Sequence, residues 1–274
     1  MGAQQSSESV HISAPNSNTP KGTDATYHVE HMLKTIPEYI QFTFDKNPPE
    51  IKKEIIPVEG NVFVLHNVLT AAECQQFIHM ATEMGFAQSP LRDLSYLNAD
   101  TAQLTSRTLE IRNSERVLCD MIPEINEELC RRIEPFLPQQ VDCKGYTWEV
   151  LRVGEMPAGG CVNSRWRFNR YQKGGYFRPH YDAGYKYSNE CETIFTFILY
   201  LNEGFEGGET TFFSGNTKNG SRVPVTPTTG SALIFFQTGP TNPLHEGSEL
   251  LSDEPSKFIL RSDLAYRKMI KPVL

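Results

Sequence analysis

Paired cysteines are missing from this sequence. Its six cysteines (Cys74, Cys119, Cys130, Cys143, Cys161 and Cys191) stand at wide intervals, with no CxxC pair and no dense framework. That excludes the cross-linked scaffold of a small secreted domain and makes a reducing compartment, the cytoplasm, the simpler expectation. Long apolar runs are missing too. The longest are a few residues, far short of a membrane span, and the N-terminus lacks the apolar core of a signal peptide, so a soluble protein without stable membrane insertion is expected. No dense Lys/Arg run is present, and 33 acidic residues outnumber 26 basic ones for a net charge of −7. Nothing here is built to neutralise a phosphate backbone, so nucleic acid is not expected as a partner. There is no internal repeat.

What is present suffices for a sizeable core: 39% of 274 residues are hydrophobic, enough for one large domain or two small ones. Residues 1–27 are rich in Ser, Asn, Gln, Thr and Pro and are read as a flexible tail, because they cannot bury enough surface to offset ordering entropy. Met1-Gly2-Ala3-Gln4-Gln5-Ser6 fits the pattern for N-myristoylation at Gly2, or is simply a tail that begins Met-Gly. One acyl chain gives only marginal binding, and no nearby cysteine or basic cluster adds a second signal. Weak membrane association is the most this pattern implies.

Thr70-Ala71-Ala72-Glu73 is a capping box, and Cys74, Phe77, Ile78, Ala81 and Met84 follow at helical spacing until Gly85. A second helix is predicted from Asn113 or Ser114, with Val117, Leu118, Met121, Ile122, Ile125, Leu129 and Ile133 on one face. Pro123 either kinks it or delays its start. A short strand is expected at Asn61–Leu65. From about Tyr146, apolar and aromatic runs alternate with Gly, Pro and Asn clusters, as in an all-β sandwich or barrel. The runs are 165–171, 176–181, 193–201, 209–213, 231–236 and 257–266. Both faces of 193–201 are apolar, which places it centrally in a sheet. The expectation is a single domain over residues 28–274, with helical support over about 28–145 outside a β core over about 146–270.

His180-Tyr181-Asp182 lies at the end of a strand-like run, and alternation along a strand turns the imidazole and the carboxylate to one side. Alone, HxD is a weak signal. His245 strengthens it, following Gly207-Gly208-Glu209-Thr210 and the strand ending at Phe236. Two histidines and one carboxylate on one face of a metal, with three adjacent positions open, is the ligand set of non-haem Fe(II) oxygenases. Zinc held by the same three residues would do hydrolysis instead, but no general base is evident beside them.

Over about 62–267 the chain resembles the prolyl 4-hydroxylase-like branch of the Fe(II)- and 2-oxoglutarate-dependent oxygenases. The resemblance rests on Tyr171-Gln172-Lys173-Gly174-Gly175-Tyr176-Phe177-Arg178-Pro179-His180-Tyr181-Asp182, Leu199-Tyr200-Leu201-Asn202 and Gly207-Gly208-Glu209-Thr210-Thr211-Phe212-Phe213. It continues through Pro227–Phe235, His245-Glu246-Gly247 and Lys257-Phe258-Ile259-Leu260-Arg261-Ser262-Asp263. It implies an α+β, mainly β fold, a double-stranded β-helix or jelly roll braced by N-terminal helices. It implies Fe(II) held by His180, Asp182 and His245, with 2-oxoglutarate and O2 as cosubstrates and ascorbate as reductant.

By the same resemblance Lys257 pairs with the distal carboxylate of 2-oxoglutarate. Arg261, four residues on along the same face, is the alternative, since the connection over 248–256 is longer than usual. Tyr171 matches a tyrosine that binds the same carboxylate, or is a core aromatic. Arg112-Asn113 with Arg116 resembles a rim segment that contacts substrate, or is a solvated helix start. Gly207-Gly208 is read as a sharp turn, and His11, His28, His31, His66 and His79 as surface or packing residues. Asp182 favours hydroxylation over halogenation. The implied substrate is a peptidyl proline in a protein or peptide. A free amino acid or another small molecule is the alternative, and a catalytically silent iron- or peptide-binding module on the same fold is another.

Overall fold

The structure, a computed structural model, describes residues 33–89, 110–155 and 159–269. The expected tail, Gly2 with its acylation pattern, and His11, His28 and His31 lie outside these residues. No helix among them is long and apolar enough to cross a membrane.

Eight strands precede the region expected to hold most of the β structure or open it: β1 (Leu33–Lys34), β2 (Lys52–Ile55), β3 (Phe63–His66), β4 (Ala87–Gln88), β5 (Arg112–Asn113), β6 (Glu115–Asp120), β7 (Gln140–Cys143) and β8 (Tyr146–Val150). Eight more follow: β9 (Arg165–Tyr171), β10 (Tyr176–His180), β11 (Cys191–Tyr200), β12 (Thr210–Phe213), β13 (Arg222–Val225), β14 (Ala232–Phe236), β15 (His245–Gly247) and β16 (Lys257–Lys268). The larger sheet runs β1-β6-β9-β16-β11-β14-β3-β2, with β4 added on β6 and β7–β8 added through β16. The smaller runs β13-β12-β15-β10-β5. This is the mainly β, two-sheet architecture expected of a jelly roll. β11 pairs antiparallel with β16 on one side and β14 on the other, the central place its two apolar faces require.

Alternation along the strands divides the interior in two. The outer face of the larger sheet carries Phe168, Ile194, Phe197, Leu199, Leu260 and Leu264, which join Phe77, Met80, Leu129 and Ile133 in one core. Its inner face carries Tyr171, Ile198, Tyr200, Leu233, Phe235 and Ile259, packed with Phe212 and Val225 of the smaller sheet. Along the same strands the inner rows change character. Arg167, Asn169, Thr196, Arg261 and Asp263 continue them where the apolar residues stop, and that boundary sets the position of the site.

Helix α1 (Ala71–Met84) begins as the capping box requires: Thr70 Oγ1 accepts from the Glu73 N–H and the Glu73 carboxylate accepts from the Thr70 N–H. Glu73 is buried, at 1% exposure. Its carboxylate also accepts from the Asp45 N–H at 2.8 Å and from two Arg132 nitrogens at 2.9 Å. One side chain thus ties the N-terminal segment, α1 and a second helix together.

That second helix, α2 (Pro123–Ile133), starts later than expected. Residues 115–120 form β6, paired antiparallel with β9 over six residues. The apolar spacing fitted a helix face, but the run also suits a strand buried on both sides, and tertiary pairing decided it. Pro123 stands in the first helical turn, where its missing N–H costs nothing. The expected helical support is therefore largely β, since β1, β2, β3, β4, β6, β7 and β8 all join the larger sheet. His66 and His79 are surface residues beside Glu54 and Glu83.

Stripping Glu73 of its guanidinium should be severe. Arg132→Ala is expected to lower unfolding stability by about 3–5 kcal/mol in denaturant titrations, the usual effect of leaving a buried charge unpaired. Burial alone would raise the Glu73 pKa, but Arg132 and two backbone N–H groups hold it below the ordinary value. Its contribution is present above the unfolded carboxylate pKa and is lost as pH falls through the folded one. The deficit of the variant should therefore narrow in acid; a deficit constant with pH would show that the carboxylate is not what suffers.

Candidate metal centre and the pocket around it

The smaller sheet brings the two histidines together. β10 ends at His180, β15 begins at His245, and these residues are direct cross-strand partners, with ring centroids 4.3 Å apart. Asp182, two residues beyond His180, turns to the same side. One of its oxygens lies 3.7 Å from His180 Nε2 and the other 3.7 Å from His245 Nε2. One donor atom from each of the three lies within 4.8 Å of the others.

Backbone carbonyls orient both rings. His180 Nδ1 is 2.8 Å from the Arg178 carbonyl and His245 Nδ1 is 3.0 Å from that of Pro243, which assigns the proton to each Nδ1 and leaves each Nε2 lone pair for a metal. Burial lowers the pKa of both imidazoles, Asp182 opposing the effect, and for His180 the neighbouring His245 lowers it further. Both rings are thereby kept neutral, the form a metal needs. Burial alone would raise the Asp182 pKa, but Arg261, the two imidazoles and the Thr196 hydroxyl hold it well below the carboxylate range. The set offers two neutral nitrogens and one anion at 8% exposure.

Several supporting residues were not foreseen. Thr196, on β11 of the opposite sheet, donates to Asp182 at 2.7 Å, and Asn242 donates to the Asp182 carbonyl at 2.8 Å. Phe177 stacks on His180 at 3.5 Å, while Phe235 and Phe212 flank His245 at 4.7 and 5.8 Å. Thr196 carries a visible signal, a hydroxyl amid the apolar run Phe195–Tyr200. The pairing of Asn242 with Asp182 has none.

Lys257 and Tyr171 are direct cross-strand partners on β16 and β9. The Lys257 ammonium, in a residue 3% exposed, donates to the Gly208 carbonyl at 2.6 Å and lies 5.1 and 5.8 Å from the centroids of Tyr171 and Tyr200. Among the described residues no carboxylate is within ion-pair distance of it. Burial pushes its pKa down to about 8, with Glu209 acting weakly in the other direction. A buried cation without an acid beside it fits an anionic ligand. Gly207 and Gly208 have φ of 76° and 71°. The turn they make carries the carbonyl that holds Lys257.

Arg261 stands elsewhere, 3.1 Å from Asp182 and 3.5 Å from Asp263. Arg112 is not a solvated helix start. It lies on β5, is 8% exposed, and packs over the Phe177 ring at 3.6 Å. Asn113 braces the neighbouring turn by donating to the Gly174 carbonyl at 2.9 Å. Arg116, on β6, donates to Asn169 at 3.3 Å. The structure thus brings His180, Asp182 and His245 together with Arg261 and, across Phe177, Arg112; Lys257 with Tyr171 stands further along β16 and β9.

Fold and donor set together define an iron-dependent oxygenase class, and comparison with known proteins agrees. The model of the 2OG-Fe(II) oxygenase superfamily matches residues 166–262. The chain is 30% identical over 219 residues to prolyl 4-hydroxylase 1 of Arabidopsis thaliana, covering 74% of this chain and 69% of that protein. It is 29% identical over 205 residues to probable prolyl 4-hydroxylase 11 of the same plant, where the match covers 70% of this chain and 62% of that relative. The chain belongs to the 2OG-Fe(II) oxygenase superfamily, in its prolyl 4-hydroxylase-like branch. Among solved structures, the viral collagen prolyl hydroxylase of Paramecium Bursaria Chlorella virus-1 is similar, with a TM-score of 0.47 and 20% identity over 75% of this chain and 96% of that one.

The donor set makes a prediction that needs no turnover. The protein should take up one Mn(II) per chain, followed by the loss of free-ion signal in electron paramagnetic resonance. Asp182→Ala should abolish uptake, and Thr196→Val should weaken it about tenfold, as loss of a ligand's supporting hydrogen bond commonly does. Unchanged uptake by Asp182→Ala would contradict the assignment.

Proposed function

We propose that the protein is an Fe(II)- and 2-oxoglutarate-dependent dioxygenase that hydroxylates an unactivated C–H bond of a prolyl residue in a peptide or protein. The observation that carries this reading is the pairing of a three-donor metal face with a buried, acid-free lysine inside one sandwich. The names of the relatives, prolyl 4-hydroxylases, support the substrate class.

In this reading His180, Asp182 and His245 hold the iron, and Lys257 with Tyr171 holds the distal carboxylate of 2-oxoglutarate. Bound iron, 2-oxoglutarate and O2 supply the oxidising chemistry, with ascorbate as reductant and with succinate and CO2 released alongside the hydroxylated product. Lys257 is preferred to Arg261 as anchor because Arg261 already has Asp182 and Asp263 within reach, whereas Lys257 has only a carbonyl and two rings. Phe177, Phe212 and Phe235 line the donors and limit water. The six cysteines are unpaired, which supports our reading that the enzyme works in a reducing compartment, the cytoplasm.

The test is succinate release from 2-oxoglutarate under Fe(II), O2 and ascorbate, with the gain of one oxygen atom by a proline-containing peptide followed by mass. His180→Ala and Asp182→Ala should be inactive. Lys257→Ala should raise the 2-oxoglutarate KM about tenfold or more, the value of a charge-assisted hydrogen bond. An unchanged KM would transfer the role to Arg261, and full activity of either metal-ligand variant would refute the reading.

A further inference from the structure

Next to the metal-facing side chains the protein concentrates more positive charge than Asp182 and the Lys257 end of the site account for. Arg167 and Arg261 are cross-strand partners on β9 and β16. Arg116 reaches in from β6, opposite Asn169, and Arg112 from β5 in the smaller sheet, against Phe177. Four guanidiniums therefore converge from both sheets of a chain whose net charge is −7. Among the described residues only two carboxylates face them. Asp263 is shared by Arg167 at 3.2 Å and Arg261 at 3.5 Å, and Asp182 belongs to the metal set.

The remaining positive charge is not satisfied internally. The Nε atoms of Arg112 and Arg261 are buried with no hydrogen-bond partner among the described residues, which is rare for buried donors and points to a missing acceptor. Burial pushes Arg112 down to about 10, with Tyr171 and Asp182 opposing it and Arg261 and Arg167 adding to it, and burial and then the other three guanidiniums push Arg116 well below the ordinary range. Lys257 lies four residues from Arg261 along β16, roughly 13 Å from Cα to Cα at strand rise, and its ammonium bonds the Gly208 carbonyl rather than any group that bonds the arginines. A forked guanidinium set suits a carboxylate.

Resting on the oxygenase reading above, we propose that the primary substrate is an acidic peptide segment. It presents a carboxylate at, or immediately beside, the residue oxidised, and Arg112, Arg116, Arg167 and Arg261 grip that group. The closeness follows from Arg261, which stands 3.1 Å from the metal-set carboxylate Asp182. The carboxylate comes either from an Asp or Glu side chain adjoining the proline or from a free C-terminus on the proline itself.

Three labelled peptides of equal length separate these sources. One has its proline flanked by Asp and Glu with an amidated end, one has Asn and Gln in their places, and one is neutral except for a C-terminal proline with a free carboxylate. Binding is read by fluorescence anisotropy to the protein loaded with Mn(II) and 2-oxoglutarate, and 2-oxoglutarate binding is titrated separately. At least one anionic peptide should bind about tenfold or more tighter than the neutral one. Arg116→Gln should erase that preference, Arg116→Lys should restore part of it, and neither should shift 2-oxoglutarate affinity. Three peptides binding alike would overturn the proposal. So would an Arg116→Gln variant that loses 2-oxoglutarate affinity but keeps the peptide preference, because the arginines would then serve the cosubstrate. Anionic preference without succinate release would leave this inference standing and sink the hydroxylase reading; equal turnover of the neutral peptide would do the reverse.

Discussion

Charge placed between two β-sheets must be answered by charge or by hydrogen bonds, and the interior of this sandwich is organised by that requirement. One end of the inner face is apolar, built by Ile198, Leu233, Phe235 and Ile259 against Phe212 and Val225. The other holds Asp182, His245, Arg112 and Arg261, all buried or nearly so, while Lys257 stands beside Tyr171 and Tyr200 at the apolar end. Asp182 is answered by Arg261, Thr196 and two imidazoles, and Asp263 by two arginines. Lys257 is answered by one carbonyl and no charge, and the Nε atoms of Arg112 and Arg261 have no hydrogen-bond partner among the described residues. The asymmetry is itself functional information, because a folded chain tolerates buried cations without partners where a ligand completes them.

The two sheets divide the labour. The smaller supplies the metal donors, and the cross-strand pairing of β10 with β15 makes the two imidazoles neighbours although 65 residues of chain separate them. The larger supplies Tyr171, Arg167, Lys257 and Arg261, aligned by period-two alternation on β9 and β16, and reaches across through Thr196 to fix the Asp182 carboxylate. Neither sheet holds all of these residues, so the candidate site lies between the two.

Much of this was legible in the sequence because it follows from short-range rules. The α1 capping box, the strand at 165–171 and the central position of β11 are local patterns, and the structure has all three. The HxD pair needed only alternation and His245 was the histidine that completes a three-donor set with it, while Lys257 needed the family resemblance to single it out. The illegible parts depended on pairing at long range. Residues 115–120 carry a spacing that both a helix and a buried strand satisfy, and only β9 alongside them decides the matter. Arg167 reads as one of many charged residues until its register with Arg261 is known, and the burial of Arg112 depends on β5 joining the smaller sheet.

In the proposed oxygenase, three distant donors hold iron with adjacent positions left open for a chelating keto acid. Anaerobic addition of 2-oxoglutarate to the Fe(II)-loaded protein tests this arrangement most directly, since the chelate absorbs visible light and a closed or hydrolytic site does not. A new visible band that saturates at one 2-oxoglutarate per iron is expected. A protein that binds Fe(II) yet stays colourless at saturating 2-oxoglutarate would contradict it.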